Sequence, residues 1–85
     1  GFLARTAQTF DLPADIVAGL PRIELIGNGQ LQMENHRGIL SYREDEVVVS
    51  GGKLLVRIQG SELELQSMSA NALLVAGVIR SVQLE

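Results

Sequence analysis

The feature that most constrains this fold is a change of hydrophobic period near Ile23. Beyond that residue, apolar and polar residues alternate almost to the end of the chain. In one clear segment the apolar residues Leu54, Val56 and Ile58 occupy every second position. Successive side chains of a β-strand point to opposite faces, so a period of two is typical of half-buried strands. The repeated alternation predicts an all-β fold.

Short breaks interrupt the alternation about every 7–10 residues, a spacing typical of small all-β domains. They fall at Gly27-Asn28-Gly29, 35–38, Glu44-Asp45, Gly51-Gly52, Gly60-Ser61 and Gly77. Glycine supplies the positive φ of tight turns, so we predict about seven to nine short strands, each of roughly four to eight residues. Two architectures fit: an antiparallel meander folded into a sandwich or small barrel, and a small β-solenoid. The two-residue breaks favour the antiparallel one.

The first 22 residues have a different pattern and contain both prolines of the chain. Apolar residues recur there at helical spacing, namely Phe2, Leu3, Ala7 and Phe10. Pro13 suits the first position of a second short helix, Asp15 suits its first turn, and Gly19 suits its end. We therefore predict an N-terminal segment with one or two short helices over 1–22 and a β domain over 23–85, in a single-domain chain.

Charge and composition exclude several classes of protein. The 85 residues include 7 basic and 10 acidic ones, a net charge of −3, and this balance lacks the basic footprint of a nucleic-acid-binding protein. No apolar run approaches the roughly 20 residues needed to span a bilayer. The absence of cysteine and the single histidine exclude disulfides, thiolate metal sites and paired-histidine chemistry. We expect a non-enzymatic protein without metal or cofactor.

The single histidine is the strongest candidate for acid–base chemistry. His36 could use Glu34 or Asp45 as an orienting carboxylate. The alternative is a turn over 35–38 in which the imidazole is hydrogen-bonded locally. No cysteine nucleophile is available, and no serine stands in the glycine-flanked context of a nucleophile elbow. The turn is therefore the favoured interpretation.

Val48 and Leu55 place apolar side chains on the otherwise polar faces of their strands. Either a second layer covers them as core, or they form an exposed apolar surface for self-association. The sheet edges offer another route, because no proline within 23–85 blocks strand pairing. We therefore expect a homo-oligomer that forms through strand edges or through the surface of Val48 and Leu55.

Several short motifs stand in a distinctive order along the chain. They are Leu12-Pro13-Ala14-Asp15, Pro21-Arg22-Ile23 and Glu34-Asn35-His36-Arg37-Gly38-Ile39. In the order and spacing of these motifs the chain resembles the YabP/YqfC family of sporulation proteins, and within it the YqfC branch. The resemblance marks seven positions as candidate interaction or structural residues: Pro13, Asp15, Pro21, Arg22, Asn35, His36 and Gly38.

The resemblance implies a protein made in the mother cell of an endospore-forming bacterium. It implies a cytoplasmic protein held at the forespore membrane by a membrane-protein partner, YqfD. The first functional hypothesis is an oligomeric scaffold or assembly factor without enzymatic activity. The alternative is a monomeric binding adaptor that uses the 10–23 segment and the 34–38 turn.

Overall fold

The computed structural model describes residues 19–85, and all regular secondary structure in that range is β-strand. The strands are β1 (Arg22–Ile26), β2 (Gln30–Glu34), β3 (Ile39–Tyr42), β4 (Glu46–Ser50), β5 (Leu55–Met68) and β6 (Ala72–Leu84). They form one sheet in the order β1-β2-β6-β5-β4-β3. Because the described residues contain only strands, the all-β prediction is confirmed. Every pairing is antiparallel. The solenoid alternative is wrong, because a β-solenoid stacks its strands in parallel.

The described residues form six strands, fewer than the seven to nine that the alternation predicts. β5 and β6 have 14 and 13 residues and run through the predicted breaks at Gly60-Ser61 and Gly77. Register shifts mark these positions, one of them between Gln59 and Gly60. A β-bulge bends a strand without ending it, so the glycines here mark bends rather than turns. The predicted helices over 2–10 and 13–18 lie outside the described residues.

The bends divide the long β5–β6 hairpin into two halves, and one short hairpin extends each half. β2 pairs with residues 72–76 of β6, whereas β4 pairs with residues 55–59 of β5. The turns of the short hairpins bond to the bends. The amide of Ile79 donates to the carbonyl oxygen of Asn28, and the amide of Leu63 donates to that of Glu44, each at 2.8 Å. Each half is thus a four-stranded sheet that contains part of β5 and part of β6.

The hydrophobic core lies between these two halves. Its fully buried side chains form one cluster and come from both halves: Leu31, Met33 and Val75 from one, Val47, Val49, Val56 and Ile58 from the other. A flat single sheet leaves both faces open to solvent, so this burial requires the halves to pack face to face. Full burial of each such side chain contributes about 1.5–3 kcal/mol. The fold is therefore a long hairpin bent over on itself.

A tyrosine joins the two halves along one side of the fold. Tyr42 lies in the edge strand β3, and its Oη accepts a hydrogen bond of 2.9 Å from the amide of Leu65. Leu65 belongs to the part of β5 that lies in the other half. With the Glu44–Leu63 bond at the bend, this contact closes the side between β3 and β5.

The bends depend on two glycines that have no room for a side chain. A Cβ on Gly60 would lie 1.9 Å from the carbonyl oxygen of Val78, and one on Gly77 would lie 2.5 Å from that of Glu62. Gly77 also has a φ of 139°, a conformation that side chains disfavour. Because the obstructing atoms are backbone, they cannot move aside as a flexible side chain could.

We predict that Gly60→Ala lowers the free energy of unfolding by about 3 kcal/mol, because the new methyl group forces the bend open. Gly29→Ala is the matched control, since its nearest contact would be the carbonyl oxygen of Gly77 at 4.0 Å. Urea denaturation followed by circular dichroism measures both. Equal midpoints for the two variants would show that the bend tolerates a side chain.

Candidate functional site

Four loops meet at the end of the sheet farthest from the bends. They are residues 19–21, 35–38, 51–54 and 69–71, and hydrogen bonds and close packing join them. This end of the fold brings together four of the motif positions that the sequence marks: Pro21, Asn35, His36 and Gly38. We therefore take it as the candidate functional site.

His36 holds two of these loops in place. Its side chain is 96% buried, since only 4% remains exposed. The Nδ1 atom accepts a hydrogen bond of 3.0 Å from the amide of Gly38, so the proton of the neutral ring is assigned to Nε2. Nε2 then donates to the carbonyl oxygen of Ser69 at 2.9 Å. Both ring nitrogens are therefore used internally, which confirms local hydrogen bonding and adds a bond to a distant loop.

Asn35 connects three segments of the chain. Its φ is 65°, a left-handed conformation that asparagine adopts more readily than most residues. Its amide donates to the carbonyl oxygen of Asn71 at 2.5 Å, and its Nδ2 donates to that of Leu20 at 2.9 Å. The 34–38 turn is thereby tied both to the 69–71 loop and to the residues that precede β1.

Pro21 forms part of an apolar groove at this end of the fold. A Cβ on the buried Gly51 would lie 3.1 Å from Cγ of Pro21 and 2.9 Å from Cδ1 of Leu54, so these residues pack closely. The groove has a volume of about 310 Å³ and is lined by Gly19, Leu20, Pro21, Arg37, Gly51, Gly52, Lys53 and Leu54. Its lining is apolar or glycine except for two cations, Arg37 and Lys53.

Arg22 is a motif position that does not join this cluster. The side chain of Arg22, which is 65% exposed, makes ion pairs at 3.8 Å with Glu24 and Glu34. Exposed pairs of this kind contribute little to stability because water and salt screen them. Pro13 and Asp15 lie outside the described residues.

Val48 and Leu55 differ in their exposure. Val48 lies on the face of β4 opposite Val47 and Val49, yet it is only 6% exposed. Leu55 is half-buried at the start of β5. In the single chain Val48 therefore offers almost no open surface, so self-association through these two residues requires movement around Val48 and stays a prediction.

A charged network spans strands β4, β5 and β6 on the outer face of the sheet. Arg57 donates from Nε to Glu85 at 2.8 Å and from Nη1 to Glu46 at 3.1 Å. Hydrogen bonds from Gln59 and then Arg57 lower the pKa of the Glu46 carboxyl, and the bond from Arg57 lowers the pKa of Glu85. The same contacts raise the pKa of the Arg57 guanidinium, Glu85 contributing most.

Two further features bear on possible functions of residues 19–85. No cluster of three or more metal-ligating side chains occurs among them. Nor does this part of the chain contain a helix with the length and apolarity needed to cross a membrane. The candidate site is a surface formed by the four loops.

Comparison with known proteins decides the family. The family model described as the YabP family matches residues 19–85, which include every strand and all four loops of the site. The chain belongs to the YabP family. Over 78 residues it is 30% identical to the uncharacterized protein YqfC of Bacillus subtilis (strain 168), covering 89% of this chain and 82% of that protein. No solved structure matches it.

Within this YabP-family fold, two functional features have no signal in the sequence: the two cations of the groove and the charged network of Arg57. Lys53 and Arg37 come together only because the 51–54 loop lies beside the 35–38 turn. Arg57 meets Glu46 and Glu85 only because β4, β5 and β6 are neighbours. The alternation of apolar and polar residues predicts which face of the sheet a side chain lies on. It does not predict which strands or loops are neighbours, so neither contact could be predicted from nearby residues in the sequence.

We predict that His36→Ala lowers the free energy of unfolding by about 3 kcal/mol, because it leaves the Gly38 amide and the Ser69 carbonyl without their partner. Arg37→Ala, at the exposed adjacent position, serves as the control and should change stability by less than about 0.5 kcal/mol. Thermal and urea unfolding measure both effects. Unchanged stability of His36→Ala would contradict the structural role of the imidazole.

A second prediction concerns acid stability. Glu46 and Glu85 have lowered pKa values, so their stabilising contribution is present above the ordinary value of 4.5 and is lost as pH falls through the lowered values. Arg57→Met removes the cause of the lowered pKa at Glu85 and part of the cause at Glu46, where the hydrogen bond from Gln59 remains. The stability difference between wild type and Arg57→Met should therefore be full near neutral pH and shrink in acid. Urea midpoints across this pH range test it, and a constant difference would refute it.

Proposed function

We propose that this YabP-family protein is a non-enzymatic, oligomeric scaffold of spore formation that docks a membrane-protein partner. The observation that carries the proposal is the groove at the loop end, whose walls are held by the motif residues. The use of His36 supports the absence of enzymatic activity: the chain's one histidine has both ring nitrogens bonded internally, and the chain has no cysteine. The motif thus builds a surface and supplies no reactive group.

The groove has the properties of a docking site for a peptide segment. Its apolar lining includes Leu20, which is 51% exposed and available to a partner. Hydrogen bonds from Asn35 and His36 fix the surrounding loops, so little ordering entropy is lost when a ligand binds. A preformed groove of this kind suits an extended segment with apolar side chains.

The charges of the groove define the partner further. Arg37 and Lys53 are its two charged residues, whereas the whole chain has a net charge of −3. A local cationic rim on an acidic protein favours an acidic segment and disfavours a basic one. We therefore propose that the occupant is an apolar segment with acidic residues from the cytoplasmic part of a YqfD-like membrane protein.

One observation favours the alternative function, a monomeric adaptor. The Asn35–Leu20 hydrogen bond brings the end of the 10–23 segment against the 34–38 turn. Residues 19–23, the described part of the 10–23 segment, are therefore adjacent to the 34–38 turn, the second binding element of the adaptor. The scaffold and the adaptor share this docking surface and differ in oligomeric state.

We predict that Lys53→Glu weakens capture of the detergent-solubilised YqfD-like partner about tenfold, because it replaces attraction by repulsion at the groove. Arg43→Glu is the matched control: it makes the same charge change at an exposed residue outside the groove, and capture should stay at the wild-type level. Pull-down with purified proteins measures both. Equal capture by the two variants would exclude the groove.

Light scattering over a wide concentration range separates the two functions. The scaffold predicts a mass that is a multiple of 9.2 kDa and rises with concentration. A mass of 9.2 kDa at every concentration would overturn the scaffold and leave the adaptor.

A further inference from the structure

The described residues have four strand edges on which no further strand pairs: β1, β3, the second half of β5 and the second half of β6. Three of them are obstructed. β1 follows Pro21 and carries Arg22 and Glu24, while β3 has a bulge between Ile39 and Ser41. The second half of β5 is irregular, and its Leu65 amide is already bonded to Tyr42. Charges, bulges and prolines are the usual protection of sheet edges.

Within residues 19–85, none of these protections occurs at the edge formed by residues 81–84 of β6. Its four residues, Ser81, Val82, Gln83 and Leu84, are uncharged, and their register with β5 is regular. Val82 is half-buried, Gln83 is exposed, and Leu84 is 64% exposed. A regular, uncharged and partly apolar edge is the kind that accepts another strand.

The hydrogen bonds to β5 determine which backbone groups face this edge. Leu55 and Glu85 exchange both of their amide–carbonyl bonds, each at 2.8 Å. In an antiparallel ladder such pairs alternate with pairs that exchange none, so Gln83 also bonds to β5. The amides and carbonyls of Val82 and Leu84 therefore point away from β5, toward the open edge.

We propose that a second copy of this chain pairs with this edge, antiparallel and around a two-fold axis at Gln83. This inference rests on the proposed scaffold function and names the interface through which it assembles. With this register, Val82 of each copy lies opposite Leu84 of the other. Both residues present free amides and carbonyls, so the pairing forms four backbone hydrogen bonds.

Self-complementarity identifies the occupant as a second copy. The two apolar pairs bury the exposed Leu84 against Val82, and Ser81 lies opposite Glu85, so no like charges face each other. The Glu85 carboxylate forms an ion pair with Arg57 of its own chain. A cavity of about 330 Å³ lined in part by Leu25, Ile79 and Val82 borders the edge.

Cysteine cross-linking tests the two-fold register directly, because the chain contains no other cysteine. Two Gln83 residues at the axis form a pair without mutual hydrogen bonds, with Cα atoms about 4.5 Å apart, which is within the range of disulfides. Gln83→Cys should therefore give a disulfide-linked dimer on mild oxidation. Ser81→Cys, opposite Glu85, is the control and should stay uncross-linked at the same concentration.

A second variant tests the backbone bonds. Leu84→Pro removes the backbone amide that points to the open edge, and it leaves the hydrogen bonds to β5 intact. We expect it to raise the dimer dissociation constant about 100-fold relative to Leu84→Ala, which shortens the side chain but keeps the amide. Light scattering measures the constants, and circular dichroism confirms folding. An oligomeric wild type with neither Gln83→Cys cross-linking nor a Leu84→Pro effect would overturn this interface and leave the scaffold function standing. A wild type that is monomeric throughout would overturn both.

Discussion

The close approach of β5 and β6 at their bends is the constraint on which the rest of this structure depends. Gly60 and Gly77 allow the backbones to come within distances that any side chain would block. With the hairpin bent, its two halves face each other and can bury one common set of aliphatic side chains. Since the chain has only two phenylalanines and no tryptophan, such a shared aliphatic core is the main source of its stability.

The same bend explains why the motif residues are where they are. When the two halves fold over, the strand ends far from the bend come together, and their loops need polar partners for their backbone groups. His36 and Asn35 supply those partners across long sequence separations, to Ser69, Asn71 and Leu20. The 34–38 motif that the family resemblance marks therefore forms hydrogen bonds within the fold. These bonds hold the loops in place, and the loops form the groove.

The β-strands of this fold can be predicted from the sequence, but the contacts between distant parts of the chain cannot. The alternation through Leu54, Val56 and Ile58 predicted a strand, and these residues fall at the start of β5 or just before it. Gly60 and Gly77 make the predicted number of strands too high, because glycine is favoured both in turns, which end a strand, and in bends, which do not. For His36, the bond to Gly38 is two residues away and follows from the turn, whereas the bond to Ser69 spans 33 residues and has no local signal.

The order of the strands also has a consequence for how the chain folds during its synthesis. The neighbour of the first hairpin, β1–β2, is residues 72–76 of β6, about 40 residues later in the sequence. Until the ribosome has released that segment, Leu31 and Met33 lack the β6 strand against which their own strand pairs. Folding of the first hairpin is therefore coupled to synthesis of β6, and contacts so distant in sequence are formed slowly. A nascent chain of this topology exposes unpaired, aggregation-prone strands until residues 72–76 emerge.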